Sequence, residues 1–172
     1  GKKEKSESYE EIKFKLLLQT QLIHSTVTMR RNVFLDTGGY DTEYNHAEDY
    51  DLWSRMSARG LKLANLPDIL VQYRIHGDSV SFSSATQPAQ TKRALRINTR
   101  NIKPYLDAPE NAILLMIQLV NGYQLSFMQT IRALRWYKRL RDAFLNAPTT
   151  SAEEKIWAER TYRDRARHAI KT

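Results

Sequence analysis

The stretch NHAEDYDLWSRMSAR, residues 45–59, decides how the chain is read. His46, Glu48, Asp49 and Asp51 crowd the start of an amphipathic helix, Leu52, Trp53 and Met56 supply its apolar face, and Gly60 ends it. Asn45 is placed to cap this helix, with Glu48 three residues on reaching back to the capping backbone in a capping box. Gly60 suits the left-handed position after the last turn, and Arg55 and Arg59 suit the negative end of the helix dipole. An acidic helix start also has an ordinary explanation, because the positive end of the dipole stabilises carboxylates wherever it occurs. The surrounding chain decides between structure and chemistry.

Upstream, residues 9–19 place Ile12, Leu16 and Leu17 at helical spacing behind a charged leader. Residues 24–30, HSTVTMR, alternate and are rich in β-branched side chains, which predicts a strand with Thr26, Thr28 and Arg30 on one face and Val27 and Met29 on the other. A brief helix over 31–36 runs into the Gly38-Gly39 turn. Downstream, residues 61–66 and 69–75 read as two short strands, the second delivering Arg74 and His76 to its carboxyl end. The Ser-rich GDSVSFSSATQPA, residues 77–89, marks a loop or module boundary. Beyond it the pattern is helical: 90–105, then 109–146 with Val120, Tyr123, Phe127, Ile131 and Leu134 on one stripe, then 151–170 opened by the capping box S-A-E-E.

At 172 residues and 41% hydrophobic content the chain can hold one ordinary domain with a sizeable core. A net charge of +8 favours an acidic partner, whether nucleic acid, an anionic membrane surface or a phosphorylated small molecule. With no cysteine there is neither a disulfide framework nor a thiolate metal site, which suits a cytoplasmic protein. The uncharged run over 111–131 is long enough to cross a bilayer but is broken by Gln118, Asn121, Gly122, Gln124 and Gln129, so a buried bundle helix is the expectation. A start at Gly1 without Met reads as a cut site, and a fragment of a longer chain is expected.

Taken together, HSTVTMRR, FLDTGGYD, AEDYDLWSRMSARG and KLANLPDILVQYRIHGDSVS resemble the second half of the catalytic domain of family 2 glycosyltransferases of the GT-A fold. The match covers about residues 23–81, and several linked blocks make it more specific than a three-residue pattern. The resemblance implies transfer of a sugar from a nucleotide-diphosphate donor to an acceptor hydroxyl with inversion, in bacterial cell-surface polysaccharide or glycan synthesis. It assigns the general base to Asp49, with Glu48 beside it as an orienting or capping residue. It offers Arg30, Asp51, Trp53, Arg74, His76 and His24 as substrate-binding candidates, with His76 also a candidate metal ligand. Asp49-Tyr50-Asp51 spells the Asp-x-Asp pattern of a metal site, but the family's motif lies in the first half of its domain, so here the spelling is coincidental. A divalent metal, Mg or Mn, is expected for the full-length enzyme, and the donor-binding half is expected to be missing, leaving this portion inactive alone.

The expected architecture is therefore α+β, mostly helical. A charged leader and short helix (1–21) precede the acceptor-side half of a Rossmann-like GT-A domain with a few short strands (22–84), and a helical extension follows (85–172). Each candidate has an ordinary alternative. Leu52, Trp53 and Met56 read as core, Asp51 as support for the turn, His24 and His46 as hydrogen-bonded polar residues, and Arg30 as an ion-pair partner of the central helix as readily as a substrate contact. A second reading, of a different class, rests on Arg132, Arg135, Lys138, Arg139 and Arg141 interleaved with Trp136, Tyr137 and Phe144: a non-enzymatic basic helical module binding an anionic membrane surface or a protein partner. Peripheral contact at the inner face of the membrane also fits the enzyme and its glycan or lipid-linked acceptor. Nucleic acid is disfavoured because no recognised motif accompanies the charge.

Overall fold

A computed structural model describes residues 6–72 and 87–171. Its regular elements are α1 (Tyr9–Lys15), α2 (Arg31–Asp36), α3 (Glu48–Ala58), α4 (Gln87–Ile102), α5 (Glu110–Asn121), α6 (Phe127–Asn146) and α7 (Ala152–Lys171), with short 3-10 turns at His24–Thr26 and Thr42–Tyr44. Among the described residues there is no strand and no sheet, which overturns the expected α+β, Rossmann-like half.

The reason is visible in the segments read as strands. Residues 24–30 begin as a 3-10 turn, and the backbone then extends, with Val27 at φ −81, ψ 132 and Arg30 at φ −70, ψ 134. Residues 61–72 are likewise irregular, and 73–75 lie outside the described residues. β-branched composition favours extended backbone, but an extended segment becomes a strand only when a neighbour exchanges hydrogen bonds with it. Here the backbone groups find other partners. Asn65 N–H donates to Glu7 O at 3.1 Å, and the Asn65 side-chain amide donates to Ser6 O and Gln21 O at 2.6 and 3.1 Å.

Two apolar cores lie on either side of α1. Phe14, Leu17 and Leu18 join Ile102, Ile113, Met116, Tyr137, Leu140 and Phe144 in a core built with α5, α6 and α7. Ile12, Leu16 and Leu22 join Tyr50, Leu52, Trp53, Met56 and Ile97 in a second core beneath α3 and α4. Helical periodicity splits α1 in this way, since Ile12 and Leu16 are four residues apart and share a face that Phe14 does not. The carbonyls that α1 leaves unpaired at its carboxyl end are collected by polar side chains between the cores. Tyr50 Oη donates to Leu16 O at 2.8 Å, Asn98 donates to Leu17 O at 3.0 Å and to Tyr50 Oη at 2.7 Å, and Asn101 donates to Leu16 O at 3.2 Å.

The long helix expected over 109–146 is two helices. Gly122 takes φ +75 and breaks the chain after α5, and Ser126 then opens α6 through a capping box with Gln129. The left-handed backbone at Gly122 costs an L side chain, which is why glycine stands at the break. The stripe fails there too: Val120 is buried, whereas Tyr123 and Phe127 are 67% and 78% exposed. The capping box at Ser151 forms, with Ser151 N–H donating to Glu154 Oε2 at 2.9 Å and Glu154 N–H donating to Ser151 Oγ at 3.2 Å. Glu154 Oε1 also takes Lys13 of α1 at 2.8 Å, which ties α7 to α1. No helix among the described residues is long and apolar enough to cross a membrane.

A buried charge fixes α3 against α4. Asp51 is fully buried, with Oδ2 accepting from Arg55 at 2.8 Å and Oδ1 from Arg100 at 2.6 Å. Asp51→Ala takes the carboxylate from Arg55 and Arg100, which are themselves partly exposed, and a loss of ~1.5–3 kcal/mol is expected. Chemical denaturation of that variant is expected to show a large drop in midpoint. Tyr50→Phe removes the donor to Leu16 O and the acceptor for Asn98, so ~1–3 kcal/mol is expected to be lost in the same measurement.

Candidate functional site

The amino end of α3 carries the candidate site, and its local build differs from the sequence expectation. Asn45 does not cap α3. His46 takes φ +69 and turns the chain, Ala47 becomes the capping residue without a side-chain bond, and the helix starts at Glu48. Glu48 is therefore not folded back into a capping box, and its Oε2 is buried with no hydrogen-bond partner among the described residues. The adjacent Asp49 uses Oδ1 to accept the Tyr50 N–H at 2.7 Å. At the other end, Gly60 N–H donates to Ser57 O and Leu61 N–H to Met56 O, at 3.0 and 3.1 Å, closing α3 as expected.

Arg55 stands in the last turn of α3 and Arg59 at its carboxyl cap, as expected, but their side chains reach away from that end. They serve the carbonyl end of α2: Arg55 donates to Thr37 O and Gly39 O at 2.5 and 2.6 Å, and Arg59 donates to Asp36 O at 2.5 Å. Those bonds hang the Gly38-Gly39 turn on α3 and deliver Tyr40 to the site. Gly39 has no room for a side chain, since a Cβ there would meet the Phe34 ring at 3.2 Å on a backbone of φ +63.

Tyr40 and His24 build the wall facing Asp49. His24 Nε2 and Tyr40 Oη share a hydrogen bond at 2.9 Å, their rings meet edge-on at 5.4 Å, and Phe34 backs Tyr40 at 5.2 Å. His24 also meets the ring of Trp53 edge-on, with centroids 6.5 Å apart. Trp53 is 1% exposed and belongs to the core beneath α3, and its Nε1 has no hydrogen-bond partner among the described residues.

Burial pushes the Asp49 carboxyl above the ordinary carboxylate range; the Tyr50 N–H and the field of His24 pull against this, and the Glu48 charge adds to the rise. Tyr40 is raised as well, first by burial and then by the negative fields of Asp49 and Glu48. A carboxylate with raised proton affinity, held beside a half-open aromatic wall, is suited to taking a proton from a bound hydroxyl.

The other candidates are dispersed. Asp51 faces away from Asp49 into its two arginines, so Asp49-Tyr50-Asp51 presents no paired carboxylates to a cation. Among the described residues no trio of His, Asp or Glu side chains converges as a divalent metal would require. Arg30 is exposed at the start of α2, while the arginines that Asp51 takes are Arg55 and Arg100. Arg74, His76 and residues 77–86 of the loop read over 77–89 lie outside the described residues, and 87–89 already belong to the first turn of α4. Sequence reasoning missed Tyr40, Phe34 and Arg100. Tyr40 carried a weak signal, as the aromatic residue delivered by a double-glycine turn, whereas Arg100 had none, being 49 residues from its partner.

No family model matches the chain, and no solved structure matches it. Three curated proteins of similar sequence are all named glycosyltransferases. The chain is 35% identical over 111 residues to an uncharacterized glycosyltransferase of Haemophilus influenzae, covering 64% of this chain and 32% of that protein. A second uncharacterized glycosyltransferase of Haemophilus influenzae is 43% identical over 58 residues, covering 34% of this chain and 21% of its own. The amylovoran biosynthesis glycosyltransferase AmsE of Erwinia amylovora is 36% identical over 58 residues, with the same coverage. The chain thus spans about a third of the first relative's length and about a fifth of the others', and over those spans it is a relative of glycosyltransferases.

Proposed function

We propose that the protein acts in an inverting glycosyltransferase of the family 2 kind, transferring a sugar from a nucleotide-diphosphate donor to an acceptor hydroxyl. Asp49 is the general base in this reading. The observation that carries it is the desolvated Asp49 carboxyl beside His24 and Tyr40, in a chain whose relatives are named glycosyltransferases. An inverting displacement needs one carboxylate on the acceptor side to take the hydroxyl proton as the glycosidic bond forms. Asp51 is committed to Arg55 and Arg100, which leaves Asp49, with Glu48 beside it, for that task. Glu48, whose Oε2 is unpartnered, orients the acceptor, and the rings of His24 and Tyr40 border it.

Arg74 and His76 help neutralise the leaving diphosphate, and a divalent metal, were one bound by the full-length enzyme, would add to that neutralisation. The acceptor is a glycan or lipid-linked glycan in cell-surface polysaccharide synthesis; support for this comes from AmsE, whose name assigns that protein to amylovoran biosynthesis.

Asp49→Asn keeps the acceptor oxygen for the Tyr50 N–H but removes the base. In the full-length enzyme, assayed against a panel of nucleotide sugars, turnover is expected to fall ~10²–10⁴-fold with the donor KM little changed. Normal turnover would sink the assignment. The same variant has a second signature. A carboxyl whose folded pKa lies above its unfolded value binds more protons when folded, so stability falls as pH rises between the two values and stays lower above them. Asp49→Asn escapes that loss, so its melting temperature is expected to exceed the parent's at neutral pH, with the difference closing in acid. The pH–rate profile of the parent should lose its base limb at a higher pH than an ordinary carboxylate gives. His76→Ala is expected to weaken donor binding and turnover together, and unchanged values would remove His76 from the site.

A further inference from the structure

The outer face of α6 is built as a charged stripe with an apolar tip. At about 100° per residue, Phe127, Met128, Arg132, Arg135, Lys138 and Arg139 fall within an arc of about 140°, opposite Ala133, Tyr137, Leu140 and Phe144, which fill the core. The stripe runs about 18 Å along the helix. Phe127 and Met128 are 78% and 57% exposed, and Tyr123 stands out beside them at the α5–α6 corner. All four cations are exposed, and among the described residues no carboxylate pairs with Arg132, Arg135 or Lys138. Arg139 lies over the Trp136 ring at 4.5 Å, which holds its charge at the rim of a shallow groove formed by these residues. Asp142, further along the same face, is paired with Arg141, which also reaches Glu159 at 3.2 Å.

We propose that this face docks on an anionic lipid surface, with Phe127 and Met128 entering the headgroup region and the four cations lying over lipid phosphates. Both halves of the pattern have a partner there. A nucleic-acid backbone would satisfy the cations but offer nothing to an apolar tip, whereas a bilayer interface takes apolar side chains and attracts cations at once. The surface lies on a different helix from Asp49. The inference is independent of the sugar-transfer reading.

Flotation of the protein with vesicles tests it. Binding is expected on phosphatidylcholine mixed with phosphatidylglycerol, with none on phosphatidylcholine alone, and high salt should release the protein. Each cation near an anionic surface contributes about fivefold, so Arg135→Gln with Arg139→Gln is expected to lower partitioning on the order of 20-fold. Phe127→Ser with Met128→Ser should weaken binding at unchanged charge. Thermal unfolding of both variants checks that the fold is intact; should either be unfolded, the lipid and salt dependence of the parent protein decides. No binding to anionic vesicles at low salt, equal binding to neutral ones, or binding indifferent to both pairs of substitutions would overturn the proposal. So would preferential binding to an oligonucleotide that ignores Phe127 and Met128.

Discussion

One buried carboxylate organises the region around the candidate site. Asp51 is fully buried, and a charge in that position is tolerated only if it is paired and hydrogen-bonded. Arg100 reaches it from α4, and Arg55 reaches it from one turn along α3. Arg55 does more than neutralise: its remaining N–H groups hold the carbonyls of Thr37 and Gly39. A planar guanidinium with several donors in fixed geometry can serve a carboxylate and two carbonyls together, which a lysine could not. The carboxylate whose pair with Arg100 fixes α3 against α4 therefore also positions Arg55, which holds the turn that carries Tyr40 to Asp49.

Helix geometry separates the work of three consecutive residues. Successive side chains step by about 100°, so Asp49, Tyr50 and Asp51 point in three directions. Asp49 is directed to the half-open wall of His24 and Tyr40, Tyr50 to the carbonyl of Leu16 between the two cores, and Asp51 to its arginines. Residues that spell a metal-binding motif on an extended turn spell three unrelated roles on a helix. The anchoring of Tyr50 and Asp51 gives Asp49 a rigid base, with no contact of its own beyond the Tyr50 N–H needed to place it.

What was legible in the sequence was local. Helix α2 runs over the expected residues, Gly60 closes α3 through the bonds its position implied, and Ser151 and Glu154 form the box that their spacing spelled. These features need only a few neighbouring residues to be decided. The strands were misread because β-branched alternation reports a preference for extended backbone, and whether that backbone pairs is settled by segments elsewhere. The break at Gly122 was passed over because apolar residues on both sides continued the helical period, although the positive φ there could have been suspected from the glycine itself. At the candidate site, the blocks around Asp49 single it out in the sequence. Arg100 and Tyr40 are not singled out, since each acts through a contact made across the fold.

The placement of Asp49 is a case of local instability held by its surroundings. Desolvation works against its ionised form, and neither the Tyr50 N–H nor the field of His24 cancels that effect. Left to its own preference, the start of α3 could fray outward, hydrate the carboxylate and restore its ordinary proton affinity. Fraying is resisted because the next two residues are locked into buried polar contacts: Tyr50 between Leu16 O and Asn98, Asp51 between Arg55 and Arg100. Unmaking either set leaves buried donors and acceptors unpaired, at ~1–3 kcal/mol for each neutral group and more for a charge. Fraying that ran past Asp49 would have to undo these contacts, which holds the helix whole up to it. A carboxylate with raised proton affinity at this place is a consequence of where its neighbours are buried: it is held on the helix side, and the opposite side faces His24 and Tyr40.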